Sequence, residues 1–279
     1  MNIGIIGLGY WGKITLKTLV QLGYQNITVC ETSPVDWSFL GSKYKVIDNY
    51  KNLDCDKVFV LTPANTHFEI CNYFLNKGID VFCEKPLTLS THTCRQLYEV
   101  AEKNCCQLFV DWLFTFNSSV HKIKSLIERW GKPRSIICNR MNWGPERYDV
   151  NARWDLASHD VSILSYLLDD KPLDVRWFDF KRDIKSNQND SAVGIITYEG
   201  TVAQINVSWK HGIKNRLYTI EFEDRILYWD DSTCSITCSG ENYSEASEPP
   251  LHVSIKSFMN GYSNKDITMI ITEILQHES

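Results

Sequence analysis

The sequence predicts an α/β chain in two parts: a doubly wound parallel sheet over residues 1–116, then an α+β unit with a mostly antiparallel open sheet over residues 117–279. Three observations carry this. In about the first 115 residues, short apolar runs alternate with helical patterns, the signature of a parallel sheet wrapped by helices. The first run leads straight into Gly7-Leu8-Gly9-Tyr10-Trp11-Gly12 at the mouth of a helical pattern. From about residue 117 two helical patterns give way to a series of strands. A length of 279 residues suits two packed units better than one core.

In order, "NIGIIG" (2–7) reads as a strand, and residues 11–22 as a helix, with Leu16, Leu19, Val20 and Leu22 at helical spacing. "NITVCE" (26–31), "KYKVID" (43–48) and "KVFVLT" (57–62) are strands, the last followed by a helix over about 66–76. "DVFCE" (80–84), a helix over 90–104 and "QLFVD" (107–111) complete the first part. Helices are expected over about 118–129 and 155–168, then strands over about 173–182, 190–198, 201–209, 216–223 and 225–230. "YEGT" (198–201) suits a hairpin turn. The polar segment 239–250 reads as a loop, and 265–277 as a final helix.

A formal charge of −5 argues against a nucleic-acid or anionic-membrane partner, both of which favour a basic surface. No apolar run reaches the roughly 20 residues that span a bilayer. The start, "MNIGIIGLGYWGK", has no basic leader region, so no signal peptide is expected. The ten cysteines form no CxxC pair, and no tight Cys/His cluster suggests a metal site. They read as free thiols in a reducing, cytoplasmic compartment.

Gly7, Gly9 and Gly12 form GxGxxG between a strand and a helix, the dinucleotide-binding (Rossmann) arrangement. Gly7 allows the tight turn, Gly9 lets backbone approach a pyrophosphate, and Gly12 lets the helix sit close to the strand. Tyr10 and Trp11 flank the same turn. The helix N-terminus offers free N–H groups to phosphates. Glu31 ends the second strand, 19 residues beyond Gly12, where a carboxylate can accept both ribose hydroxyls and repel a 2′-phosphate. No arginine follows, so NAD(H) is favoured over NADP(H), although Ser33 could still bond a phosphate.

Parallel α/β sheets bind ligands beyond the carboxyl ends of their strands. "VFCEKPL" (81–87) is such an end: Glu84 and Lys85 would emerge beside a cofactor, with Pro86 fixing the exit of the chain. The alternative is a surface ion pair of little energetic worth. "LTPANTH" (61–67) is a second strand end, placing Thr62, Pro63 and Asn65 beside the cofactor; His67 either lines the site or shapes the helix start.

GLGYWG, Glu31, "TPANTH" and "EKP" occur in order and at suitable separations. Together they resemble the Gfo/Idh/MocA family of nicotinamide-dependent oxidoreductases, whose members act mostly on sugars, inositols and related polyols. The resemblance covers essentially the whole chain. It implies a catalytic role for Lys85, and a D-x-x-x-H helix lining the active site, matched by Asp155 and His159 in "WDLASHD". Positions i and i+4 share a helical face, so Asp155 could steady and charge the imidazole. By spacing alone, a helix-capping Asp155 and a core histidine fit equally well. Asp160 lies about a quarter-turn away and could reach the site rim.

The stretch 208–231, "SWKHGIKNRLYTIEFEDRILYWDD", resembles the nucleotide-sugar branch of the family, with its Trp, Lys-x-Arg pair and closing Tyr-x-Asp-Asp. Lys214-Asn215-Arg216 would contact a neighbouring subunit or a phosphate, or simply form a solvated strand end. Many members carry glycines before the D-x-x-x-H helix, where this chain has "NARWDLASHD", and many are longer.

The resemblance implies ketone–alcohol interconversion at a ring carbon (C3 or C4) of a UDP- or dTDP-hexose. His159 would handle the proton, Lys85 polarise the oxygen and Asp155 orient the histidine, or His159 and Lys85 could exchange roles. Trp143, Arg147, Tyr148 and Arg153 could stack on a sugar or base, or pair with a diphosphate; the aromatics suit a core equally, and the arginines a surface. Action on free sugars or inositols is the second expectation, and a nicotinamide-binding regulator without chemistry the third. A homodimer or homotetramer is expected, as in the family.

Overall fold

The computed structural model describes residues 1–41, 44–245 and 248–278. The chain forms two compact units: Met1–Asp111 with Leu251–Met269, and Trp112–Pro250 with the end of the chain from Ile270.

The first unit holds β1 (Ile3–Ile6), β2 (Ile27–Cys30), β3 (Lys45–Ile47), β4 (Lys57–Val60), β5 (Asp80–Glu84) and β6 (Leu108–Asp111). They form one parallel sheet in the order β3-β2-β1-β4-β5-β6. Ile3, Ile5 and Ile6 of β1, Val58, Phe59 and Val60 of β4 and Val81, Phe82 and Cys83 of β5 are buried, the continuous apolar run of a parallel sheet covered on both faces. Helices α1 (Tyr10–Gln21), α2 (Ala64–Leu75) and α3 (Thr91–Lys103) make the connections. In α3 the buried set Cys94, Leu97, Tyr98 and Ala101 follows the i, i+3, i+4, i+7 stripe of an amphipathic helix.

The first unit also contains a helix absent from the sequence reading, α6 (Pro250–Met259). Its buried residues Leu251, Ser254, Ile255 and Phe258 repeat the same stripe. Phe258 packs on Phe59, Phe82 and Phe109, with ring centroids 5.5, 5.6 and 5.9 Å away. The unit is therefore closed by residues far along the chain, whereas the sequence reading made a single cut at 116. At the sheet edge the Asn264 side chain mimics a neighbouring strand: it accepts from Val110 N at 3.2 Å and donates to Val110 O at 2.6 Å.

The second unit contains α4 (Ser118–Trp130), β7 (Ser135–Trp143), a π-helical turn over Arg153–Ala157 and α5 (Ser158–Leu168). Strands β8 (Asp174–Phe180), β9 (Ser191–Tyr198), β10 (Thr201–Ser208), β11 (Lys210–Asn215), β12 (Leu217–Glu221), β13 (Ile226–Asp230), β14 (Ser235–Cys238) and β15 (Glu241–Asn242) follow. The sheet order is β15-β14-β13-β12-β7-β10-β9-β8, with β11 also on β7; β7–β10 is its parallel pair. The expected hairpin joins β9 to β10, with Gly200 at φ +75° in the turn. The last helix, α7 (Lys265–Gln276), starts in the first unit and ends in the second, where Trp177 Nε1 donates to Ile274 O at 2.8 Å.

Strand β7 is the main departure from the sequence reading. It sits between β12 and β10 in the middle of the sheet, yet no strand was expected there. Its inward side chains are Ile136, Cys138 and Arg140, and the arginine hides the alternation that marks a half-buried strand. Strands β11 and β14 were also unassigned, and the loop expected over 239–250 contains β15 and the start of α6. Residues 246–247 of that loop, and residue 43 of the expected strand 43–48, lie outside the described residues. The helix expected from 155 opens with the π-helical turn, a feature common at functional sites.

On the outer face of the second sheet Ile137, Val202, Phe178 and Tyr228 are exposed. All ten cysteines are free. Among the described residues, no helix is long and apolar enough to cross a membrane.

Candidate active site

At the carboxyl end of β1, Gly7 has φ +88°, a conformation suited to glycine. A Cβ on Gly12 would lie 2.2 Å from Gly7 O, so only glycine lets α1 start so close to the turn. A Cβ on Gly9 would meet nothing within 4 Å, leaving open space over that backbone. Helix α1 has no side-chain cap hydrogen bond and no acidic residue in its first turn, which leaves its N-terminal end suited to an anion. Tyr10 is exposed, with its ring edge-on to Trp11 at 5.7 Å.

Glu31 is bound into this turn. Leu8 N donates to Oε2 at 2.8 Å, while Thr32 N and Ser33 N donate to Oε1 at 2.8 and 3.1 Å. Burial pushes the carboxyl's pKa up, but the bonds from Leu8, Ser33 and Thr32 outweigh it and hold the pKa below its ordinary value. The residue is thus an ionised acceptor fixed against the glycine turn. These residues fit a dinucleotide: a cradle without Cβ atoms, an uncapped helix N-terminus, and a carboxylate at ribose distance in the motif.

Thr62 and Pro63 follow β4, and Asn65 is exposed in the first turn of α2. The Thr62 and Thr66 hydroxyls are 2.7 Å apart. His67 does not line an open site, contrary to one sequence expectation. It is 1% exposed, and its Nδ1 and Nε2 lie 2.8 Å from Pro86 O and Thr62 O. The helical register of α2 turns it inward with Ala64, Ile70 and Cys71.

Glu84 ends β5, and its carboxylate accepts from the Lys85 backbone N–H. Lys85 is buried rather than a solvated surface charge. A residue missed from sequence, Asp111, ends β6 in register with Glu84. Asp111 is buried, accepts from Ser254 Oγ at 2.6 Å and interacts electrostatically with Lys85. Burial pushes its carboxyl up to about 6, against the opposing pull of Ser254 and Lys85. The available signal was an acid closing the apolar run "QLFVD", the same pattern that marked Glu84.

In the second unit, Asp155 lies in the π-helical turn and His159 is half-buried in the first turn of α5. Trp209 Nε1 donates to Asp155 Oδ2 at 3.0 Å, and Arg147 Nη1 lies 3.7 Å from Asp155 Oδ1. Arg147 also grips Asp149 through two bonds, at 2.9 and 2.7 Å. The Phe114 ring is edge-on to His159 at 5.2 Å, and the Arg140 guanidinium lies 4.5 Å from the same ring. Trp209, Phe114 and Arg140 were not among the expected site residues; Trp209 carried a signal only as part of the branch resemblance, and contacts so distant in sequence leave no spacing to read for the other two.

Two sequence expectations need correction here. Asp160 is 0% exposed and does not reach a rim: it accepts from Arg140 Nε at 3.0 Å and from the Tyr218 hydroxyl. Arg140, itself 1% exposed, also reaches Asp231 at 3.4 Å. Burial pushes Asp160's carboxyl up against Arg140's attraction. Arg153 is also committed within the unit, to Asp179 at 3.1 Å and His277 O at 3.1 Å, with Trp177 beneath it. Trp143 and Tyr148, by contrast, are 69% and 85% exposed, which rules out a core role, and Lys210 sits 5.2 Å from the Trp143 ring.

Comparison with known proteins matches residues 1–112 to the oxidoreductase family, NAD-binding Rossmann fold, of GFO_IDH_MocA, and residues 120–239 to the GFO/IDH/MocA C-terminal domain. A UDP-N-acetylglucosamine 3-dehydrogenase of Acidithiobacillus ferrooxidans is 26% identical over 63% of this chain and 57% of its own length. An inositol 2-dehydrogenase of Salmonella typhimurium is 24% identical over 61% of this chain and 55% of its own. The matched segment thus spans about half the length of these curated relatives. The WlbA dehydrogenase of Bordetella pertussis, solved with NADH and UDP-GlcNAcA, shares the fold at a TM-score of 0.82 and 18% identity, covering 99% of this chain and 94% of that one.

Proposed function

The chain belongs to the Gfo/Idh/MocA family of oxidoreductases, and from that membership we propose that it interconverts alcohol and ketone at a ring carbon, C3 or C4, of a nucleotide-linked hexose, using NAD(H). The observation that carries the reading is the glycine turn with its ionised Glu31: open backbone at Gly9 for a pyrophosphate and a fixed carboxylate for ribose hydroxyls. That carboxylate would repel a 2′-phosphate, which favours NAD(H) over NADP(H).

When bound, the cofactor supplies hydride exchange at the nicotinamide. The chain's own residues then handle the proton and the charge. His159 takes the hydroxyl proton in oxidation and returns it in reduction. The Lys85 ammonium stabilises negative charge on the reacting oxygen. Asp155, steadied by Trp209 and Arg147, orients the imidazole. The exposed rings of Trp143 and Tyr148 would stack on the base or sugar of the nucleotide.

The relatives support a nucleotide sugar through the UDP-N-acetylglucosamine 3-dehydrogenase and WlbA, while the inositol 2-dehydrogenase, at similar identity, favours a second reading as a dehydrogenase of free polyols. The exposed apolar residues Ile137, Val202, Phe178 and Tyr228 on one sheet face support a homodimer or homotetramer. The test is nicotinamide absorbance with NAD(H) and NADP(H) against UDP- and dTDP-hexoses, their keto forms, free sugars and inositols. Turnover confined to nucleotide-linked sugars supports the proposal, turnover on free polyols replaces it with the second reading, and cofactor binding without any turnover overturns both.

A further inference from the structure

We propose that His67 is a positioning residue: held as an imidazolium, it ties the Thr62 carbonyl to the Pro86 carbonyl and so sets the strand ends that carry Thr62-Pro63 and Glu84-Lys85. The geometry leads here directly. Nδ1 is 2.8 Å from Pro86 O, and Nε2 is 2.8 Å from Thr62 O. Backbone carbonyls only accept, so each ring nitrogen must bring its own hydrogen. A neutral imidazole has one N–H, and would leave a lone pair facing a carbonyl oxygen at hydrogen-bond distance. His67 is 1% exposed, and at 2.8 Å each contact is direct, with no room for a water between ring and carbonyl.

The tie spans neighbouring strands. Thr62 lies two residues beyond β4, and Pro86 two beyond β5, which pair in parallel. Helix α2 starts from one of these ends, so the imidazolium locks helix, turn and strand end together. Of the ionisable groups on the tied segment, the Glu84 carboxylate accepts from the Lys85 backbone N–H, and Lys85 is a buried side chain of opposite charge. Lys57 and Asp80 begin β4 and β5, at the opposite ends of those strands, and are paired with each other. On its own helix Glu69 is exposed and accepts from the Tyr50 hydroxyl, and Cys71 is buried. Cys83 is a buried thiol that burial pushes well up, and Cys94, the buried thiol of neighbouring α3, accompanies it.

The protonation half of this inference is independent of any substrate; the positioning half rests on the proposed role of Lys85 and the nucleotide turn. The test is nitrogen–proton correlation NMR of the imidazoles in the whole protein at pH 7.5, where an ordinary histidine is mostly neutral. His67→Asn identifies the signal, and replacing the other six histidines one by one does so if that variant does not fold. Two protonated ring nitrogens on His67 are expected, together with at least tenfold weaker NADH binding, by fluorescence titration, in folded His67→Asn or His67→Gln. One unprotonated ring nitrogen at pH 7.5 overturns the proposal, and so does normal NADH affinity in a folded variant. Failure of all sugars to turn over would count against the proposed function and leave these two readouts intact.

Discussion

The two sheets place their buried charge differently. In the first unit the buried ionisable groups of the candidate site, Lys85 and Asp111, stand at the carboxyl ends of β5 and β6, where the strands finish. In the second, Arg140 projects from the middle of β7, under a sheet that continues on both sides, and is met by Asp160 from α5, Tyr218 from β12 and Asp231. A strand end can release its charge toward a ligand. A mid-strand arginine that is 1% exposed cannot, and its charge must be answered within the protein. Under the proposed function the strand-end charge serves the chemistry, while the mid-strand network ties β7 to α5, the helix that carries His159.

The largest expected effects concern one residue from each side of that contrast, Lys85 at a strand end and His159 on the helix above the mid-strand network. Lys85→Ala and His159→Ala should each lower turnover by about 10²–10⁴-fold while NADH still binds. Steady-state kinetics with cofactor titration decides, and near-normal turnover in both variants would sink the assignment.

Next comes the buried network. Arg140→Met leaves Asp160 uncompensated and should cost about 3–5 kcal/mol in a urea melt. Adding Asp160→Asn should recover part of that loss, since the orphaned charge goes with it. A cost below about 1 kcal/mol for Arg140→Met alone would mean the network is not a support.

Asp111 sharpens the comparison through pH. Its folded-state pKa is raised, from 3.8 to about 6, so the folded chain binds the proton more tightly than the unfolded chain. Its contribution is fully present below the unfolded value and is lost as pH rises toward the folded one. Wild-type stability relative to Asp111→Asn should therefore fall between about pH 4 and 6. Urea midpoints at both ends of that window measure it; an unchanged difference would show that Asp111 does not titrate there.

The smallest effect concerns cofactor choice. Glu31→Ala should weaken NADH by about tenfold, the worth of hydrogen bonds to a charged acceptor, and NADPH by less. The reverse order in a binding titration would assign the chain to NADP(H).

Much of the first unit was legible because its rules are local. A glycine turn, an acid at the end of the next strand and strands ending in Thr-Pro or Glu-Lys-Pro are read within a few residues, and β5 matched its expected bounds from Asp80 to Glu84. The Asp155/His159 spacing was likewise visible, as was the hairpin at Gly200. What the sequence by itself determined, then, was the order of elements as far as β6, the family and the turn where a dinucleotide would bind.

Other features depended on residues that meet only after folding. Arg140 disguised β7, because an inward arginine is tolerable only when Asp160, Tyr218 and Asp231 converge on it from elsewhere. Asp160 and Arg153 looked available for substrate until their partners were known, 20 to 124 residues away in the chain. Helix α6 completes the first core from beyond residue 249, and Ser254 brings Asp111 its hydroxyl across 143 residues. Period and motif record what neighbours in sequence must do. Whether a buried charge is paired is decided by burial and by distant partners, and the tertiary structure alone supplies both.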